Sequence, residues 1–141
     1  MKFNVNRTDV WAATLEDRPG GLAEKLGSLA AAGVNLEFII ARRTPERTGN
    51  GSVFVTPIKG AKQVKAAQDA GFQKTESLHS LRLEGADKPG AVAAITRALA
   101  GAGINLRGLS AAAIGRRFVA HLALDTAEDA AKAAAVLRKL P

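Results

Sequence analysis

Residues 12–36 read AATLEDRPGGLAEKLGSLAAAGVNL, and residues 82–106 read RLEGADKPGAVAAITRALAGAGINL. At an offset of 70, ten of these 25 positions carry the same residue. Among them are Asp17/Asp87, Pro19/Pro89, Gly20/Gly90, Gly33/Gly103, Asn35/Asn105 and Leu36/Leu106. Alanine-rich helices share alanines by chance. They do not share Asp-x-Pro-Gly and Gly-x-Asn-Leu at one spacing twice. Two copies of this period form a pseudo-symmetric pair, not a solenoid.

Each copy has the same element order. A strand alternates first, with Trp11, Ala13 and Leu15 on one face, and with Leu81 and Leu83 in the second copy. Pro-Gly then opens a helix, because proline tolerates a first turn. That helix spans 20–32 or 90–102, and Leu22, Leu26 and Leu29, or Val92, Ile95 and Leu99, form its buried stripe. Gly33 and Gly103 stop it in the left-handed conformation that a helix C-terminus favours. A second strand (35–43, 105–114), a third (52–58, 118–125) and a second helix (61–70, 127–140) follow, with Thr126 as an N-cap. The order βαββα is one strand short of a ferredoxin-like βαββαβ unit. After the first copy, Gln73–Leu78 supplies that strand. After the second copy, the sequence stops at Pro141. The expectation is that Phe3–Arg7 completes the second sheet. The fold class is therefore α+β, two ferredoxin-like units with antiparallel sheets and helices on one face. The repeats cover 9–78 and 79–141, the last strand of the second coming from residues 2–8.

Composition narrows the function. Apolar residues make up 47% of the 141, enough for a packed core. The absence of cysteine removes disulfides, thiolate metal sites and cysteine nucleophiles. No apolar run approaches the roughly 18 residues of a membrane span, so no membrane partner is expected. The first residues lack the apolar core of a secretory signal, and the expected location is the cytoplasm. The net charge of +7 is spread over both halves, without a basic tail, and one Trp and five Phe are little from which to build a base-stacking platform. Nucleic acid is thus not the expected partner. His79 and His121 fall within strands and lack metal-ligand spacing, and no serine sits in a Gly-x-Ser-x-Gly elbow. Arg18 with Asn35 is the only pair for an acylphosphatase-type phosphate loop. No enzyme activity, cofactor or metal is expected.

Asp17-Arg18-Pro19-Gly20 with Gly33-Val34-Asn35-Leu36, and Asp87-Lys88-Pro89-Gly90 with Gly103-Ile104-Asn105-Leu106, resemble the ACT domain twice over, across essentially the whole chain. The resemblance implies a regulatory module that binds a small ligand, most often an amino acid, where paired sheets join. It also implies a stand-alone tandem protein, a homodimer, and a regulated enzyme or regulator protein as partner.

The site residues implied are Asp17, Arg18, Pro19, Gly20, Gly21, Leu22, Val34, Asn35 and Leu36 in the first copy. In the second they are Asp87, Lys88, Pro89, Gly90, Ala91, Val92, Ile104, Asn105 and Leu106. Free N–H groups and the dipole at a helix start suit a carboxylate. Gly20, Gly21 and Gly90 leave room for close backbone approach. Asn35 and Asn105 offer a donor and an acceptor, and Asp17 and Asp87 suit an ammonium. Each residue has a structural alternative: Asp before Pro-Gly as a turn residue, Asn as a bridge into the next strand. Arg42, Arg43 and Arg47 read as a solvated hairpin end, or as contacts for an anionic ligand or acidic partner. The alternatives to a ligand sensor are an interaction module with a degenerate site and an anion or nucleic-acid binder using this basic hairpin.

Overall fold

Apolar residues at every second position decide how the strands face. In the computed structural model, which describes residues 2–141, they build two four-stranded antiparallel sheets. The elements are β1 (Asn4–Thr8), β2 (Trp11–Glu16), α1 (Gly21–Ala31), β3 (Phe38–Arg43), β4 (Asn50–Thr56), α2 (Gly60–Asp69), β5 (Gln73–Lys74), β6 (His79–Ala86), α3 (Ala91–Gly101), β7 (Gly108–Ile114), β8 (Arg117–Leu124) and α4 (Ala127–Arg138). The chain divides into two compact units. One is Asp9–Thr75, and the other is Glu76–Pro141 together with the N-terminal residues through Thr8.

The first unit has strand order β3-β4-β2-β5. Trp11, Ala13, Val53 and Val55 face its core with Leu29, Ala67 and Phe72, and Leu22 and Leu26 pack against them. The second unit has order β1-β6-β8-β7. Its core holds Leu81, Leu83, Ala120, Leu122 and Leu124 against Ile95, Leu99, Ala133 and Leu137. Each fully buried leucine among these contributes about 1.5–3 kcal/mol relative to exposure.

The fourth strand of the second unit is β1, as the repeat period suggests. Val5 pairs with Leu83 and Arg7 with Leu81 in antiparallel register. Phe3 and Val5 are buried in the second core, and the Phe3 ring lies 6.1 Å from that of Phe118 between centroids. A guanidinium N–H of Arg138, on α4, donates to the Val5 carbonyl at 2.8 Å.

Several boundaries differ from the sequence expectation. Strand β5 is two residues long, not the six of Gln73–Leu78. Thr75 turns the chain there, its N–H and hydroxyl donating to the Val10 carbonyl at 2.9 and 3.0 Å. Pro19 and Pro89 lie outside the helices, in turns that precede them. The strands after α1 and α3 begin three residues late, at Phe38 and Gly108. Gly33 and Gly103 (φ 81° and 74°) end the helices as expected, and the following N–H groups of Val34 and Ile104 return to Leu29 and Leu99 carbonyls. Val34 and Ile104 then cap the cores with their side chains. Thr126 accepts from the Asp129 N–H at 3.0 Å, capping α4.

On β6 and β8, Arg82 and Arg117 both donate to the Glu84 carboxylate, at 2.8 and 3.1 Å. The hydrogen bond from Arg82, then that from Arg117, holds this carboxyl below the usual glutamate range. A depressed folded pKa adds stability above the unfolded value and loses it as pH falls through the folded one. Glu84→Gln should therefore lower the melting temperature at pH 7, with the difference from wild type closing as pH falls below about 4. A constant gap from pH 7 to pH 3 would contradict this.

Phe3→Ala should cost the second unit about 3–4 kcal/mol. The only tryptophan, Trp11, belongs to the first unit. In urea, loss of circular dichroism should precede the Trp11 emission change in this variant. An unchanged circular dichroism midpoint would show that β1 carries no such weight.

Candidate ligand-binding site

The turn from strand to helix is built alike in both units. Asp17 N–H donates to the Gly49 carbonyl and Asp87 N–H to the Arg116 carbonyl, each at 2.9 Å. Both bonds tie the Asp-x-Pro-Gly turn to the neighbouring hairpin. Gly20 and Gly90 follow with φ of 87° and 83°, which side chains disfavour. Gly21 N–H is used by the Arg18 carbonyl and Glu24 N–H by that of Gly20, which leaves Leu22 and Ala23 N–H outside the helix ladder.

Gly21 serves another purpose than the sequence suggests. A Cβ there would lie 2.3 Å from the Glu16 carbonyl oxygen, so the close approach is to the chain's own strand. In the second unit the same place holds Ala91, buried at 4% exposure.

The two halves of each motif stand apart. Asp17 to Gly21 lie at the start of α1, and Val34, Asn35 and Leu36 beyond its end. Eleven helical residues separate them by about 16 Å. Asp87, Lys88, Pro89, Gly90, Ala91 and Val92 are likewise separated from Ile104, Asn105 and Leu106 by α3. No single unit brings its aspartate and asparagine together. The Arg18–Asn35 phosphate pair is excluded for the same reason. Asn35 and Asn105 are exposed, whereas Val34, Leu36, Ile104 and Leu106 pack on the cores.

Charge is concentrated at the aspartate end of the first unit. Arg18 folds back, its Nε 2.6 Å from Glu16 and a terminal nitrogen 2.8 Å from Glu24. These hydrogen bonds, that to Glu16 first, raise its pKa further. Arg18 thus faces the helix start and its own carboxylates. Arg43 does what the hairpin reading did not anticipate: its Nε donates to Asp17 at 2.5 Å, across 26 residues. The register explains this. Leu15 pairs with Gly51, and Gly51 with Arg43, so all three lie side by side on the helix face of the sheet. With Asp17, Leu22, Ala41 and Arg42 they line a cleft of about 350 Å³. It has a carboxylate, a guanidinium and a helix start at one end, and an apolar wall of Leu15, Leu22 and Ala41. Leu15, Ala41 and Gly51 escaped the sequence reading. Only the strand register identifies them.

The second unit differs at the same place. There the strand pair is Gly85 with Phe118, and Ala113 stands in Arg43's position. Phe118 is 4% exposed, and a Cβ on Gly85 would lie 2.8 Å from Phe3 Cδ1. Two aromatic rings, Phe118 and Phe3, fill the place that Leu15 alone covers in the first unit. Among the described residues no group of three or more His, Asp or Glu gathers as metal ligands, and no helix is long and apolar enough to cross a membrane.

Residues 79–141 match the family model of the ACT domain. No curated protein matches the chain. Solved structures share the fold. A protein from Bacteroides thetaiotaomicron is 18% identical with a TM-score of 0.77, over 96% of this chain and 99% of that one. The ligand-free regulatory subunit of aspartate kinase from Thermus thermophilus is 17% identical with a TM-score of 0.66, over 99% and 96%.

Gly21→Ala should destabilise the first unit more than Gly90→Ala, expected at about 1–2 kcal/mol, destabilises the second. Ala91→Gly should cost only about 0.5–1 kcal/mol. Chemical denaturation of the three variants checks the order, and a neutral Gly21→Ala would contradict the close approach to Glu16.

Proposed function

We propose that this chain, which carries an ACT domain over residues 79–141 and repeats its fold over residues 9–75, is a regulatory module that binds an amino acid and relays the signal to a partner protein. The observation that carries this reading is the Asp17–Arg43 pair at the mouth of the first-unit cleft, beside the start of α1. A free amino acid presents both charges of that pair on one carbon. Its carboxylate is matched by Arg43 and by the Leu22 and Ala23 N–H groups. Its ammonium is matched by Asp17. The reading is non-catalytic, because the cleft brings a cation, an anion and aliphatic groups together but no nucleophile with a base. The resemblance in fold to an aspartate kinase regulatory subunit supports the regulatory part.

The asparagines enter this reading through assembly. We take Asn35 or Asn105 to reach an aspartate-end site from a second copy of the chain, since its own helix holds it about 16 Å away. Strands β3 and β7 each have a hydrogen-bonded strand on one side only, and such edges seek partners. We take the working assembly to be a homodimer in the cytoplasm. The degenerate-module alternative keeps the fold and predicts no ligand.

A thermal-shift screen of the twenty amino acids tests the proposal. A ligand at 100 times its dissociation constant adds about 2.7 kcal/mol, on the order of 5–15 °C for units of this size. One or two amino acids should raise the melting temperature selectively. A flat response across the panel would contradict the reading. Asn35→Ala and Asn105→Ala should leave the ligand-free melt nearly unchanged. If the asparagines act across a dimer, at least one of these variants should weaken binding by several-fold, with dimer formation followed by sedimentation.

A further inference from the structure

The two units share a backbone plan but not a cleft. In the first, the larger residue of the central strand pair is Leu15, on β2, and its partner on β4 is Gly51. In the second the sizes are exchanged, with Gly85 on β6 and Phe118 on β8. The exchange moves bulk from one strand to its neighbour on the same face of the sheet. Over Gly51 lies the Leu15 side chain, a Cβ there falling 3.1 Å from Leu15 Cδ1 and 2.9 Å from the Arg42 carbonyl oxygen, and the cleft opens beside this pair toward Leu22, Ala41 and Arg43. Above Phe118's own Cα there is a benzyl side chain, 4% exposed, with Phe3 filling the space over Gly85. The flanking edge strand changes in step, from Ala41 and Arg43 to Ala111 and Ala113. The second unit has thus lost both the room and the cation.

Arg43 and Asp17 are an exposed pair, their side chains 78% and 32% accessible. Such pairs add little to stability. Packing does not demand an arginine on this edge, and the equivalent strand manages with alanine. Away from the charges the cleft is lined by Leu15, Leu22 and Ala41. None of the three neighbouring charged groups lines this cleft, Arg18 being engaged with Glu16 and Glu24.

Resting on the amino-acid reading above, we infer that ligand binding is confined to the first unit, at the cleft of Leu15, Asp17, Leu22, Ala41, Arg43 and Gly51, and that it selects an amino acid with an aliphatic side chain. Leu15, Leu22 and Ala41 supply the apolar wall and Arg43 the carboxylate contact, and Gly51 lets Leu15 lie flat on the sheet. Phe118 closes the counterpart. The side chain of the ligand lies on the leucines, where a second charge would be desolvated without a partner.

Titration calorimetry on the full chain tests this, with L-leucine, L-valine, L-aspartate and L-lysine as probes. Ala41→Leu and Ala111→Leu are the discriminating variants. Both positions are exposed edge residues, so both proteins should fold, as circular dichroism will show. Leucine or valine should bind at one site per chain, at least tenfold tighter than aspartate or lysine. Ala41→Leu should fill the cleft and weaken binding at least tenfold, while Ala111→Leu should stay within twofold of wild type. Arg43→Ala should weaken binding at least tenfold with little change in the ligand-free melt. Two sites per chain, or equal losses from the two alanine variants, would overturn the confinement to the first unit. Tighter binding of aspartate or lysine would overturn the aliphatic selection. In either case the amino-acid reading would survive. Binding by none of the twenty amino acids would overturn both.

Discussion

The second unit depends on a strand that comes from the far end of the chain. Without β1, the outer edge of β6 is bare and the ends of Leu81 and Leu83 lie next to water. Phe3 and Val5 cover them, and the Arg138 guanidinium fastens β1 to α4 through the Val5 carbonyl. The first unit meets the same need with two residues of β5 and the buried ring of Phe72. The strand that completes one sheet therefore stands at the beginning of the chain, and each repeat is cut differently from each folded unit. This arrangement follows from one constraint. A ferredoxin-like sheet needs four strands to cover two helices, and each repeat carries a completing strand ahead of its βαββα run, β1 before β2-α1-β3-β4-α2 and β5 before β6-α3-β7-β8-α4.

Pseudo-symmetry is kept where the backbone requires it and relaxed where side chains alone are concerned. The left-handed glycines at the helix starts and ends are retained in both copies because their φ angles are. The hydrogen bond from the aspartate N–H to the neighbouring hairpin is retained as well. The strand pair facing α1 or α3 is free to vary, provided the summed volume fills the core. Leucine with glycine leaves a cleft at the edge. Glycine with phenylalanine, helped by Phe3, closes it. One exchange of side-chain volume thus separates a unit with an open, charged cleft from one with a filled core, on the same fold.

Much of this was legible in the sequence. The repeat, the βαββα order, the glycine stops at Gly33 and Gly103, the Thr126 cap and the fourth strand contributed by the N-terminus all follow from residues near one another in the chain, or from the period of 70. Their physical basis is local, in allowed φ angles, first-turn N–H groups and the periods of strand and helix. The candidate site was legible only in part. Asp17 and Gly20 lie where the motif suggests. Gly21 makes room for the Glu16 carbonyl, and Asn35 stands at the opposite end of α1 from Asp17, which no local pattern reveals.

What the sequence by itself determined is the element order and the two turns that bracket each first helix, because backbone conformation is set by the residue that adopts it. What only the tertiary structure decided is which side chains share a site. Arg43 meets Asp17 because β3, β4 and β2 align Arg43, Gly51 and Leu15 in one row. That row is set by register, and register depends on how two cores pack rather than on any one stretch of chain.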